Sequence, residues 1–208
     1  GKLEDIARQI AGITGKVHNE IKKKAIVVMM ADNGVYAEGI AMYPQDITRI
    51  GADFVTSGRM GVNFLANYAK ADIIAVDVGI QVDVDQPKVI KRKVRYGTAN
   101  FLKEPAMTRE EAIQAIEVGI EVTNDAIDQG YDLLGTGDMG IGNTTASSAV
   151  LYGFTEAHID RVVGRGAGLT DEAFERKKQV VKQAVELHRP NPKDPLDVLS
   201  KVGSLDIA

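Results

Sequence analysis

The sequence predicts an α/β protein with a Rossmann-like parallel sheet flanked by helices. Short, wholly apolar runs alternate along the chain with longer segments whose apolar residues recur at helical spacing. This alternation is typical of successive βα units. The runs are apolar throughout, as expected of strands that are covered on both faces.

The strands are predicted from these runs in chain order. Residues 25–31 and 72–79 are two clear strands, 131–135 is a weaker third, and 161–164 is a very short fourth. The segment 81–97 is long, polar and β-branched. We expect it to cross the surface or to form an edge strand.

Helices are predicted between and around the strands. They cover residues 3–22, 46–68, 108–128, 170–189 and the segment from 194 onward. The third opens on a capping box, with Thr108 at the cap and Glu111 three residues later.

Two regions are expected along the chain. Residues 1–24 form a helical flank packed beside a core of residues 25–208. A new apolar segment begins at about residue 203, so we expect the core to be cut short at its C-terminal end.

Composition limits the function classes. The 208 residues carry a net charge of −4, which disfavours a nucleic-acid-binding surface. The chain contains no cysteine, which excludes thiolate metal sites and cysteine nucleophiles. The three histidines have no ligand spacing, so no metal site is expected. No apolar run approaches the roughly 18 residues of a membrane span. We expect a cytoplasmic protein with neither a nucleic-acid nor a membrane partner.

Acids and glycines follow three predicted strands. The first leads into Asp32-Asn33-Gly34, the second ends at Asp77-Val78-Gly79, and the third leads into Gly137-Asp138-Met139-Gly140. Because the carboxyl ends of parallel strands share one edge, we expect a ligand site there. The alternative is that Asp and Gly are simply common turn residues.

Two glycine clusters suggest phosphate binding. In the segment 135–145, Asn143 and Thr144 offer cap oxygens at a helix start, where free N–H groups attract anions. The cluster 164–168 also precedes a helix, and Arg165 and Lys177 could add positive charge. The alternatives are a turn that binds nothing and, for Lys177, a solvated surface lysine, which the residues alone favour.

A dinucleotide site is a weaker hypothesis. Gly135, Gly137 and Gly140 satisfy G-x-G-x-x-G, but that fingerprint belongs in the first βα turn and is followed by an acid after the next strand. No Lys-Ser/Thr pair follows the glycines, so the segment is not a Walker P-loop either.

Several ordered motifs resemble one family, the nicotinate-nucleotide:dimethylbenzimidazole phosphoribosyltransferases, over essentially the whole chain. The segments that carry the resemblance are 32–35 with 38–39, 97–101, 105–108, 137–145, 164–169, 191–194, 197–199 and 201–203.

The resemblance implies a transferase that moves a phosphoribosyl group from nicotinate mononucleotide to dimethylbenzimidazole, with no metal or cofactor, in cobalamin biosynthesis. It implies a homodimer whose small helical domain includes residues 1–24. It also implies a general-base glutamate in a C-terminal segment that these 208 residues lack, so no catalytic residue is assigned. The substrate-binding residues it implies are Tyr43, Pro44, Asp138, Gly140, Asn143, Thr144, Thr145, Gly166, Gly168 and Lys177.

Three positions depart from the family pattern. Asp138 replaces a usual Glu, Asn33 stands where many relatives have His, and Ile50-Gly51 aligns where some have a Gln near the base. The departure at Ile50-Gly51 leaves open which heterocyclic base the enzyme accepts. Two other functions stay open: a non-catalytic nucleotide- or phosphate-binding module on this scaffold, and a dinucleotide-dependent oxidoreductase.

Overall fold

A computed structural model describes residues 1–155 and 157–208. The strands are β1 (Lys24–Ala31), β2 (Ala71–Gly79), β3 (Val89–Lys91) and β4 (Leu133–Met139). The helices are α1 (Lys2–Thr14), α2 (Ile47–Thr56), α3 (Gly61–Ala69), α4 (Arg109–Asp128), α5 (Asn143–Phe154), α6 (Ile159–Val162), α7 (Asp171–His188) and α8 (Pro195–Val202), and a short 3₁₀ helix covers Gly34–Glu38.

The strands form one parallel sheet in the order β3-β2-β1-β4. From β1 the chain moves outward to β2 and β3, and then returns to the opposite side of β1 to add β4. The order therefore reverses between β1 and β4. In open parallel sheets a crevice opens at such a reversal, at the carboxyl ends of the strands, and ligands bind there.

Helices cover both faces of the sheet. Alternate residues of β1 point to opposite sides: Val28 packs with Val55 of α2, whereas Val27 packs with Val122 of α4. A further core joins Phe101 to α4, α5, α7 and α8. This layering explains why β1 and β2 are apolar without alternation over most of their length.

The predicted helix starts at Thr108, Thr170 and Asp194 are confirmed. Each side chain accepts a hydrogen bond from the backbone N–H three residues later, at 3.1 Å for Thr108 and 3.3 Å for the other two. The segment 81–97 supplies β3 at the edge of the sheet, as expected.

Two predicted helices were too long. The helix predicted over 3–22 ends at Thr14, because Gly15 takes a left-handed conformation with φ of 68°. No residue of α1 is buried, so the expected packing of this flank on the core is wrong within the described chain. The helix predicted over 46–68 is two helices, α2 and α3, separated by a turn in which Gly58 has φ of 82°.

Two strand predictions were also wrong. The third strand does not end at Gly135 but continues to Met139, so Gly135 and Gly137 lie in β4 and not in a loop. A Cβ at Gly135 would lie 2.7 Å from Ile26 Cδ1, so glycine permits the close approach of β4 to β1. The fourth strand, at 161–164, does not form, because residues 159–162 are helix α6.

Among the described residues, no helix has both the length and the apolar character needed to cross a membrane.

Candidate functional site

A cavity of about 380 Å³ lies where the order of the strands reverses, at the carboxyl ends of β1 and β4. Its walls come from the loop before α2, from α2 itself, from the β4–α5 loop, and from residues 165–169 with α7. One end is lined mainly by apolar side chains and the other by polar and basic groups. This volume falls within the range of small-molecule sites.

The apolar end is built on α2. Ile47 and Phe54 are seven residues apart and therefore share one face of the helix. Between them Gly51 lacks a side chain, and a Cβ there would lie 2.7 Å from Met139 Sδ. The thioether of Met139 thus lies directly over α2. Tyr43 completes this end, together with Ile40, Ala41, Met42 and Met60.

The loop Gly140–Gly142 forms the floor of the cavity. A Cβ at Gly140 would lie 1.8 Å from the carbonyl oxygen of Ala31, so only glycine lets β4 turn against the end of β1. Ile141 N–H donates to Thr48 Oγ1 at 3.0 Å, and its carbonyl accepts from Asn33 Nδ2 at 3.2 Å. Buried partners on both sides therefore fix the backbone of this loop.

The polar end lies at the start of α5. Asn143 Nδ2 donates to Asp138 Oδ2 at 2.5 Å, and Asn143 Oδ1 accepts from Thr144 N–H at 2.7 Å. The N-cap of α5 is Gly142, which has no side chain, so the prediction that Asn143 and Thr144 cap this helix is wrong. The N-terminal end of α5 lies beside the cavity, and the positive end of its helix dipole favours an anion there.

Lys177 of α7 closes the polar end. It is 1% exposed, so it is not a solvated surface lysine. Its ammonium group donates to Thr144 Oγ1 at 2.8 Å and to the Gly164 carbonyl at 2.9 Å. An ammonium group has three N–H donors, so one remains for a ligand. Burial lowers the pKa of Lys177 to about 8.

The second glycine cluster packs against this lysine. At Gly166, where φ is 61°, a Cβ would lie 2.9 Å from Thr144 Oγ1 and 3.5 Å from Lys177 Nζ. Arg165 also lines the cavity, but its guanidinium is shared with the Leu169 carbonyl and the Asp171 carboxylate.

Most of the expected site residues come together around the cavity. Tyr43, Asp138, Gly140, Asn143, Thr144, Gly166 and Lys177 line it. Pro44, Thr145 and Gly168 are not among the lining residues. Thr145 is buried, and its hydroxyl has no hydrogen-bond partner among the residues described.

The acids at the strand ends have separate environments. Asp138 lines the cavity, whereas Asp77 is buried and pairs with Lys93 at 2.9 Å. Asp32 is also buried; burial raises the pKa of its carboxyl, and the hydrogen bond from Gln81 N–H partly offsets that rise.

Asp206 was not predicted from the sequence. This side chain is buried behind Gly140, and burial, reinforced by the Asp138 carboxylate, raises its pKa to about 8. A lone acid after Gly203-Ser204 matches no binding motif, so no sequence signal identified it. By contrast, the spacing of Ile47 and Phe54 could have indicated the apolar wall. Within residues 1–155 and 157–208, no cluster of three or more His, Cys, Asp or Glu side chains could hold a metal ion.

A family model described as phosphoribosyltransferase matches residues 1–208. The chain is 50% identical over 208 residues to the nicotinate-nucleotide–dimethylbenzimidazole phosphoribosyltransferase of Clostridium tetani, and 51% identical over 209 residues to that of Acetivibrio thermocellus. All of the chain is matched in each case, but it covers only 58% and 59% of those enzymes.

A solved structure of a related protein also matches the whole of this chain. The crystal structure of CobT from Thermus thermophilus matches with a TM-score of 0.93 and 41% identity, over 100% of this chain and 62% of that one. The chain thus spans less than two thirds of the length of each of these three relatives.

Proposed function

The chain belongs to the phosphoribosyltransferase family, whose model matches its whole length, and on that premise we propose that it binds the substrates of phosphoribosyl transfer from nicotinate mononucleotide to dimethylbenzimidazole. The products are nicotinate and α-ribazole phosphate, a nucleotide used in cobalamin biosynthesis. One observation carries the proposal: a single cavity joins an apolar end to an end that holds a buried cation beside a helix start.

The two ends suit the two parts of the product. A planar bicyclic base fits between the α2 face and Met139, where contacts are apolar and adaptable. A phosphate at the other end meets the positive end of the α5 helix dipole and the ammonium of Lys177. Asp138 lies beside Asn143 at the polar end, where its carboxylate can accept hydrogen bonds from ribose hydroxyls.

The reaction needs one further group. A ring nitrogen of the base attacks the anomeric carbon while the bond to nicotinate breaks, and the proton on the other ring nitrogen must leave. Among the described lining residues, Asp138 is the sole carboxylate, and it is hydrogen-bonded to Asn143. We therefore assign the general base to a residue outside these 208.

The remaining assignments follow from the same proposal. Gly140, Asn143, Thr144 and Gly166 contact the nucleotide, whereas Pro44, Thr145 and Gly168 shape the loops around it. The protein is a cytoplasmic homodimer, and residues 1–24 belong to a small helical domain. The exposed apolar side chains of α1 support this domain assignment, because they need a partner surface.

A second candidate is a nucleotide-binding module without catalysis. It is favoured by the same Asp138 observation, since a cavity without a free base can bind a nucleotide without turning it over.

The experiment that tests the proposal separates binding from chemistry. We expect the 208-residue chain to bind α-ribazole phosphate, and replacement of Lys177 by Met to weaken binding about tenfold or more, as charge-assisted hydrogen bonds contribute roughly 1.5–3 kcal/mol. Calorimetric titration measures this. The Lys182→Met variant, on the exposed face of the same helix, is the control.

The same chain should not form α-ribazole phosphate from nicotinate mononucleotide and dimethylbenzimidazole at a useful rate. A missing general base costs about 10²–10⁴-fold. Absence of binding would refute the proposed function. Rapid turnover would show instead that a described residue is the base, and Asp138 would be the first residue to replace.

A further inference from the structure

We propose that Glu38 is a positioning residue which, through Arg176, sets the separation between the base-binding and phosphate-binding ends of the cavity. The inference rests on the proposed function, since it concerns the two ends of that same site. Neither residue lines the cavity.

Glu38 ends the 3₁₀ helix that follows β1. The next residue, Gly39, takes a left-handed conformation with φ of 70° and turns the chain toward the cavity. Residues 40–43 then line its apolar end. The position of this wall therefore depends on what holds Glu38, as well as on the burial of Ile40 in the core.

Two side chains hold the Glu38 carboxylate. Arg176 Nη2 donates to one oxygen at 2.5 Å, and Asn100 Nδ2 donates to the other at 2.7 Å. Arg176 Nε also donates to the backbone carbonyl of Glu38 at 3.3 Å. The Glu38 side chain is only 12% exposed. Such a shielded, multiply bonded carboxylate holds its geometry better than a surface ion pair does.

Arg176 lies next to Lys177 on α7. The two residues bind different ends of the site. Arg176 binds Glu38 in the loop that leads to the apolar wall, and Lys177 donates to Thr144 at the polar end. One rigid turn of helix thus joins both ends of the cavity. A ligand that spans the two ends needs their separation to be correct, whereas a ligand that occupies one end does not.

This difference gives the test. Glu38→Gln removes the charge but keeps the size of the side chain. We expect it to weaken α-ribazole phosphate about tenfold, while dimethylbenzimidazole alone and inorganic phosphate alone change by less than about twofold, because only the linked ligand depends on the relative placement of two subsites. Calorimetric titration of all three probes measures the effect. The matched control is Asp160→Asn, which removes another carboxylate bound to α7, at Lys178.

A measurement without ligand makes the test independent of affinity. The chain has no cysteine, so Met42→Cys with Lys182→Cys places two nitroxide labels, one on the loop and one on α7. Pulsed electron paramagnetic resonance should give a narrow distribution of distances between the two labels. This distribution should broaden in the Glu38→Gln background and stay narrow in the Asp160→Asn background.

The outcomes are distinguishable. Unchanged affinity for α-ribazole phosphate, or an equal loss for all three probes, overturns the positioning role, and so does a label distance distribution that stays narrow in the Glu38→Gln background. If the unmodified chain binds none of the three probes, the proposed function fails, and the role of Glu38 in substrate placement fails with it.

Discussion

At the residue scale, Lys177 is the most unusual side chain of the candidate site. It is a buried lysine whose two hydrogen-bond partners, Thr144 Oγ1 and the Gly164 carbonyl, are both neutral. Burial without a compensating carboxylate lowers the pKa of its ammonium group from 10.5 to about 8. The charge that would bind a phosphate is therefore lost within an accessible pH range.

Ligand affinity should follow this titration. We expect the dissociation constant of α-ribazole phosphate to rise as the pH passes through about 8, because the lysine loses its proton while the phosphate, with a second pKa of about 6, stays doubly charged. Calorimetric titration over a pH series checks this. The Lys177→Met variant should bind weakly with no such step, and a step that persists in it would assign the titration elsewhere.

The free energy of unfolding should rise with pH where the affinity for the ligand falls. The pKa of Lys177 is lower in the folded than in the unfolded chain, so between about 8 and 10.5 the unfolded chain binds more protons, and this lysine makes the free energy of unfolding rise with pH. Asp206 has the opposite shift, and its contribution falls with pH between 3.8 and about 8. The two windows meet at about pH 8, so urea denaturation over a pH series is compared between the unmodified chain and the Lys177→Met variant, which keeps only the contribution of Asp206.

At the element scale, the two glycines of the loop before α7 allow a matched comparison. Gly166 and Gly168 both have positive φ, 61° and 79°, so alanine is strained at each. Only at Gly166 would the added methyl carbon meet neighbours, namely Thr144 and Lys177; nothing lies within 4 Å at Gly168.

We expect Gly166→Ala to weaken α-ribazole phosphate binding by several-fold more than Gly168→Ala. Backbone strain costs each variant about 1 kcal/mol or more of stability, and the contact with Thr144 adds to the loss at Gly166. Calorimetric titration with parallel urea denaturation separates the two effects. Equal affinities would show that the Thr144–Lys177 contact does not matter for the ligand. A Gly140→Val variant is unsuitable for this purpose, since its Cβ would collide with the Ala31 carbonyl and disrupt the sheet edge.

Some features of the helices and strands could be predicted from the sequence, and others could not. Thr108, Thr170 and Asp194 predicted three helix starts correctly, because a cap is a local interaction between residues three apart. The extent of β4 was missed, since Gly135 and Gly137 resemble a loop until pairing with β1 is known. Long-range pairing overrides the local preference of glycine there.

The site was predicted unevenly for the same reason. The glycine loop and the expected phosphate lysine could be assigned from ordered motifs that resemble a family. Asp206 could not, because its burial behind Gly140 arises from packing between distant segments. The spacing of Ile47 and Phe54 could have indicated the apolar wall, but not which segments face it.

At the scale of the whole molecule, α1 stands apart from the core. None of its residues is buried, and Leu3 and Ile13 are 82% and 78% exposed. The sequence predicted an amphipathic flank, and the apolar spacing is present, but its partner surface is not among the described residues. The helix therefore adds little to the stability of the rest.

Deletion of residues 1–15 should leave the free energy of unfolding within about 1 kcal/mol of its original value, because these residues bury little apolar surface against the core. Urea denaturation at low protein concentration is the measurement. A loss of several kcal/mol would show that α1 packs on this chain in solution. The Ala146→Asp variant, which places a charge in the buried core, is the positive control for loss of stability.

The reversal of strand order between β1 and β4 has a consequence for folding kinetics. Met30 pairs with Met139, so the two walls of the cavity come from segments far apart in the sequence and meet only when β4 joins β1. Contacts of such high contact order form slowly. A nucleotide can therefore recognise only a chain that has completed this step, and by mass action it favours the completed sheet over partly assembled forms. Ligand binding would then report that β4 has joined β1, and would slow the detachment of β4 from the sheet.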